Sequence, residues 1–223
     1  MCKACIPYPI VYSEQTPNPL ALKIILGVPP VTDGYHLFSS VDQVAGCSVL
    51  EDVLSLPGVQ EILLAPDFIT VTKAESVPWT LLESVLMSIF QHRIDAFPLD
   101  MGAFVVKQPA PLVDWDTWVP ETPDMAKLFE DVKVLIDDQV RPAIEGDGGM
   151  IDVCAIKDGV LYVRLQGACS SCMHAEDTLK GGIQQAVCHY FPEITSVETV
   201  DNAPPRVDHS DAPAPSADPA DSA

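Results

Sequence analysis

Apolar positions along the chain change their spacing from segment to segment, and the changes mark the elements. Leu20 to Leu26 is a short apolar run of strand length. Val49 to Leu56 reads as a short helix ending near Pro57-Gly58. Val59 to Ala65 and Phe68 to Lys73 are β-rich runs joined by Pro66-Asp67, the pattern of a hairpin. A helix follows, with Ser76 as its cap, Pro78 in its first turn, and Leu82, Val85, Leu86 and Ile89 on one apolar face.

A second series starts at Thr122-Pro123-Asp124, which combines a capping hydroxyl, a first-turn proline and an acid at the positive helix end. Met125, Leu128, Phe129, Val132, Leu135, Ile136 and Val140 keep helical spacing until Arg141-Pro142, which predicts a break or kink. Glu145 to Gly149 reads as a flexible turn. Met150 to Ile156 and Val160 to Leu165 are strands, with Lys157-Asp158-Gly159 as the hairpin between them. A helix carrying Ala175, Leu179, Ile183, Ala186, Val187 and Tyr190 on one face comes next, and a last strand covers Ile194 to Val200.

These patterns predict an α+β fold of two small domains, 10–106 and 122–201. The proline-rich stretch Lys107 to Pro123 links them. Residues 202–223, mostly Ala, Pro, Asp and Ser, form a tail with little to bury, expected to be disordered.

Composition narrows the function. The 223 residues are 48% apolar, too high a share for a wholly disordered chain, and carry a net charge of −20. That charge repels phosphate backbones and anionic lipid, so neither nucleic acid nor a membrane surface is an expected partner. No apolar run reaches the roughly 20 residues of a membrane-spanning helix. The most apolar helical stretch, Leu81 to Phe90, is interrupted by Glu83. The first residues, Met1-Cys2-Lys3-Ala4-Cys5, show neither a signal-peptide core nor an Arg-rich transit pattern, which gives the expectation of a cytoplasmic protein.

Seven cysteines, an odd number without a secretion signal, argue against a disulfide framework. The chemistry concentrates in Cys169-Ser170-Ser171-Cys172, placed after Gly167 where a strand ends and a helix begins. A helix N-terminus favours thiolate, and two intervening residues let both sulfurs reach one ligand. The spacing fits zinc, an iron–sulfur cluster or a redox dithiol. A thioredoxin-like dithiol belongs in a parallel βαβ unit, whereas this segment reads as a hairpin followed by a helix. One pair supplies two thiolates and a cubane cluster takes four, so either a second pair joins or two chains contribute one pair each. Cys2 and Cys5 share the spacing, and both pairs together could build a structural zinc site.

The other features are less specific. Cys154 shares strand parity with Asp152 and reads as half-buried, and Cys47 and Cys188 read as packing residues. His174 reads as a solvent-facing helix residue rather than a ligand. Asp114 to Trp118 reads as a docking motif or as a linker that packs its indoles. The glycines of 146–149 match no phosphate-binding pattern.

Residues 134–200 resemble the NifU-type C-terminal domain. The stretches that carry the likeness are Arg141-Pro142-Ala143, Gly146-Asp147-Gly148-Gly149, Leu165 to Cys172, Thr178-Leu179-Lys180 and Gly182-Ile183. The first block is similar to the Nfu N-terminal domain through Thr16-Pro17-Asn18-Pro19, Leu22-Lys23 and Asp67 to Val71. Where the family usually has proline after the second cysteine, Met173 stands here. The resemblance implies a non-enzymatic scaffold or carrier. Cys169 and Cys172 would ligate a [4Fe–4S] cluster, in preference to [2Fe–2S], shared between two subunits. The holo form would be a homodimer that receives the cluster from upstream assembly proteins and passes it to apo-protein clients by ligand exchange. Ser170 and Ser171 would keep the loop small and hydrogen-bond cluster sulfurs.

The charge is uneven. Residues 111–201 hold 17 acids against 6 bases, while residues 1–110 hold 11 against 5. An anionic cluster would thus sit in the most acidic part of the chain, and clients with basic surfaces are expected.

Overall fold

A computed structural model describes residues 11–100, 118–170 and 173–200, the side chains of residues 173–179 excepted. It is α+β, with mixed helices and sheets in two blocks. The tail, most of the proline linker, and Cys2 and Cys5 lie outside the described residues.

The first block is a five-stranded antiparallel sheet in the order β1-β2-β5-β4-β3. Its strands are β1 (Tyr12–Gln15), β2 (Ala21–Ile25), β3 (His36–Phe38), β4 (Val59–Leu64) and β5 (Ile69–Lys73). The hairpin expected at Pro66-Asp67 is the β4–β5 pair, with Leu64 opposite Ile69. The short outer strands β1 and β3 have no clear alternation in the sequence and are additions to its reading. Helices α1 (Ser48–Leu54) and α2 (Trp79–His92) complete the block.

Two details of α2 differ from expectation. Pro78, in extended conformation, occupies the cap position in place of Ser76. The buried face is Leu82, Leu86 and Phe90, a straight i, i+4, i+8 row, whereas Val85 is exposed. Those three side chains pack with Leu22, Ile24, Ile62, Leu64, Ile69 and Val71 in one core.

β5 is buried at every position. A strand reads so when both faces of its sheet are covered. Ile69 and Val71 enter the core, so the alternate residues Thr70 and Thr72 point to the other face. Register puts Leu63 and Lys23 beside Thr70, and Glu61 and Ala21 beside Thr72. This second face is half polar, and the second block covers it.

That block has strands β6 (Gly149–Lys157), β7 (Val160–Gly167) and β8 (Ser196–Thr199), in the order β6-β7-β8. Its helices are α3 (Pro123–Leu135), α4 (Arg141–Gly146) and α5 (Met173–Tyr190). Thr122 caps α3 as expected, its Oγ1 accepting from the Met125 amide at 3.2 Å. A π-helical turn at Ile136–Val140 joins α3 to α4, and Pro142 sits in the first turn of α4, which places the expected kink. The β6–β7 hairpin turns on Asp158 and Gly159 at φ 52° and 76°. Two successive positive φ values are what a tight hairpin needs, and Asp-Gly supplies them at low cost. The core joins Val132, Ile136, Ile151, Val163, Leu165, Ile183 and Val187. Tyr190, expected on the apolar face of α5, is exposed. Trp118 packs on Phe129, ring centroids 5.1 Å apart; the rest of Asp114 to Trp118 lies outside the described residues.

Three expectations for this block need correction. The hairpin followed by a helix is present as β6-β7-α5, but β8 returns parallel to β7, so β7, α5 and β8 also form the parallel crossover that the sequence reading excludes. Cys154 is buried, because a bulge between Val153 and Ala155 breaks the alternation that would have left it half-buried. Glu145 to Gly149 is not a free turn. Glu145 and Gly146 end α4, Gly149 opens β6, and the segment is held against the first block.

Candidate functional site

Cys169 lies in the turn after β7, and α5 starts at Met173. Cys172 lies outside the described residues, as do the side chain of His174 and the whole of Ser171. Gly167 turns the chain at φ +65°, with the position of a Cβ already taken by Leu63 Cδ2 at 2.5 Å and the Gly148 carbonyl at 2.8 Å. Only glycine meets both demands. Leu63 belongs to β4, so the first block shapes the start of the cysteine loop.

The Cys169 side chain is 8% exposed. Its Sγ lies against Gly149, where a Cβ would come within 2.4 Å, and Ile144 closes the same spot. Beside Cys169 opens a mostly apolar recess of about 470 Å³, walled by Ala143, Ile144, Ile183 and Ala186 and, from the first block, Pro17 and Asn18. Ser170 Oγ donates to the Gly167 carbonyl at 2.9 Å, so it turns back onto its own loop.

The peptide before Cys169 is held on both sides. Ala168 N–H donates to the Gly148 carbonyl at 3.2 Å, and that carbonyl also accepts from Thr70 Oγ1 at 2.7 Å. The Ala168 carbonyl accepts from Asn18 Nδ2 at 2.8 Å. Asn18 is itself fixed: its Oδ1 accepts from the Leu20 amide at 2.9 Å. Lys23 Nζ donates to the Glu145 carbonyl at 2.8 Å, placing a cation at the negative end of α4. Tyr35 hydrogen-bonds the Glu145 carboxylate, and burial followed by that partner pushes the phenol up to about 12. A small apolar cluster of Leu63, Ala65, Phe68 and Met150 fills the centre of the contact.

Glu61 faces the same loop. Burial pushes its carboxyl up to about 7, and the neighbouring Ser170 side chain and Gly167 backbone act in the opposite direction. One of its oxygens, Oε1, is buried without a hydrogen-bond partner, and so is Thr72 Oγ1 on the neighbouring strand.

The remaining described cysteines stand apart from the loop in role. Cys47 packs in the core of the first block and Cys188 against that of the second, both as expected. Among the described residues no three of His, Cys, Asp and Glu converge as a metal site, and no helix is long and apolar enough to cross a membrane. Sequence reasoning found Cys169 but missed Asn18, Thr70, Glu61 and Gly149 as its surroundings. Asn18 and Thr70 lie in stretches quoted above for their likeness, yet nothing in their residue type says what they touch.

Residues 11–96 match the family described as scaffold protein Nfu/NifU N terminal, and residues 132–198 match the NifU-like domain. The chain is 32% identical over 190 residues to NifU-like protein 4, mitochondrial, of Arabidopsis thaliana, covering 84% of this chain and 65% of that protein. It is 31% identical over 194 residues to the NFU1 iron-sulfur cluster scaffold homolog, mitochondrial, of Drosophila ananassae, covering 86% and 65%. The Drosophila sechellia homolog is 31% identical over 198 residues, covering 88% and 67%. The chain thus spans about two thirds of the length of these relatives. Their names overturn the expectation of a cytoplasmic protein, since all three are described as mitochondrial. That expectation leaned on the first residues alone, and residues 1–10 lie outside both matched regions.

Proposed function

The chain belongs to the Nfu family of iron–sulfur cluster scaffold proteins, and from that premise we propose that it carries a [4Fe–4S] cluster on Cys169 and Cys172. Two chains contribute one pair each, which supplies the four thiolates a cubane takes. The cluster is cargo. It arrives from an assembly protein and leaves to an apo-protein whose cysteines replace these thiolates one at a time, so the work is binding and transfer rather than catalysis.

The observation that carries this reading is the position of Cys169, in the turn after β7, four residues before α5 begins and beside an apolar recess. The helix terminus offsets part of the negative charge of a thiolate-bound cluster. The second-block walls of the recess, Ala143, Ile144, Ile183 and Ala186, would give the Cys169 sulfur a low-dielectric side.

The parallel crossover β7-α5-β8 is also compatible with a dithiol, so topology does not separate the two chemistries. Metal analysis does. Anaerobic reconstitution should give iron and sulfide in equal amounts with a holo form twice the mass of the apo chain. A metal-free protein that turns over a disulfide substrate, or stoichiometric zinc lost with Cys2 and Cys5, would count against it.

A further inference from the structure

A thiol that ligates a cluster shared between two chains must present its sulfur at the surface. Cys169 does the opposite, with Sγ turned inward against Gly149 and Ile144. The turn that leads into Cys169, at Gly167 and Ala168, is held from the other block. Asn18 holds the Ala168 carbonyl, Thr70 holds the Gly148 carbonyl that also takes the Ala168 amide, and Leu63 blocks Gly167. We propose that the N-terminal block is a lid on Cys169, that Asn18 is the positioning residue keeping its thiol inward, and that the blocks part before two chains share a cluster. This rests on the reading of Cys169 as a ligand of a shared cluster.

The contact face is built to be reversible. Its apolar centre is small, and around it lie Asn18, Lys23, Thr70 and Glu61, a mixed surface of the kind that allows relative domain motion. Glu61 Oε1 and Thr72 Oγ1 on this sheet face are buried without partners. Each is penalised while closed and regains water on opening. Parting the blocks therefore costs the clamp hydrogen bonds and a few apolar contacts, while two orphaned oxygens are relieved. The main cores of both blocks stay intact.

The test uses the full-length apo chain. Asn18→Asp keeps the acceptor for the Leu20 amide but replaces the donor to Ala168 with a carboxylate facing a carbonyl. Thr70→Val removes the hydroxyl to Gly148 with little change of shape. Iodoacetamide labelling is followed cysteine by cysteine with tandem mass spectrometry. Cys169 should label about tenfold faster in Asn18→Asp, and faster in Thr70→Val, while Cys47 in the first core keeps its wild-type rate. Rates for Cys169 within about twofold of wild type in both variants would overturn the lid, and so would a parallel rise at Cys47, which marks general loosening. The two readings fail separately. Absence of iron and sulfide from reconstituted wild type removes the cluster, whereas equal labelling in all three proteins removes the lid.

Discussion

The side-chain amide of Asn18 donates to the backbone carbonyl of Ala168, 150 positions away and one residue before Cys169, at 2.8 Å. That single bond ties the N-terminal block to the cysteine loop. It also explains why an asparagine is only 2% exposed. A buried amide needs partners, and Asn18 has them on both of its atoms, one in each block.

Gly149 sets how Cys169 sits. Gly149→Ala places a methyl 2.4 Å from Sγ, and the single-bond rotor of the cysteine gives way more easily than strand β6. We expect faster alkylation of Cys169 together with a loss of about 1–3 kcal/mol of stability in urea unfolding. Unchanged alkylation and stability would mean that Sγ does not pack on Gly149.

Leu63 is fully buried, yet it belongs to the small inter-block cluster rather than to either main core. Leu63→Ala should cost about 2–5 kcal/mol. Because the loss falls on the contact between the blocks, calorimetry should show their unfolding separated into two transitions where the wild type is more cooperative. A single transition shifted as a whole would place Leu63 in a shared core instead.

Glu61 gives the contact a pH dependence. Its folded value of about 7 lies above the ordinary 4.5, so the folded chain holds the proton more tightly than the unfolded one. The stability from that proton is complete below about pH 4.5, declines as pH rises, and is gone above about pH 7. The fall in thermal midpoint between these pH values should therefore be smaller in Glu61→Gln than in the wild type. Equal falls in the two proteins would show that Glu61 is not buried as described.

Thr122 is a local matter, with no part in the site. Thr122→Ala removes the hydroxyl that accepts from the Met125 amide and should cost about 1 kcal/mol, read from the urea midpoint. A loss well beyond that would mean that Thr122 does more than cap α3.

Much of the fold was legible because local signals agreed with one another. Asp158-Gly159 fixed a hairpin, Thr122-Pro123 fixed a helix start, and the β4–β5 hairpin followed from two β-rich runs around Pro66-Asp67. What was not legible depends on contacts distant in sequence. A strand such as β3, three residues long, has too few positions to show a period. The bulge at Cys154 reverses strand parity without any residue type that announces it. Thr70 and Thr72 on the second face of β5 look like solvent-facing positions, and only the other block makes them buried. Cys169 was legible as a ligand candidate from its spacing to Cys172, but its inward thiol and the reach of Asn18 are properties of packing.

If Cys169 and Cys172 hold the cluster between two chains, removing both must abolish it. The most direct measurement is iron and acid-labile sulfide after anaerobic reconstitution, with the mass of the eluted species, for wild type and the Cys169→Ala/Cys172→Ala variant. Wild type should carry about four iron and four sulfide per two chains and elute as a dimer, and the folded double variant should carry neither and stay at its apo size. A double variant that binds as much iron and sulfide as wild type would mean that other residues hold the cluster.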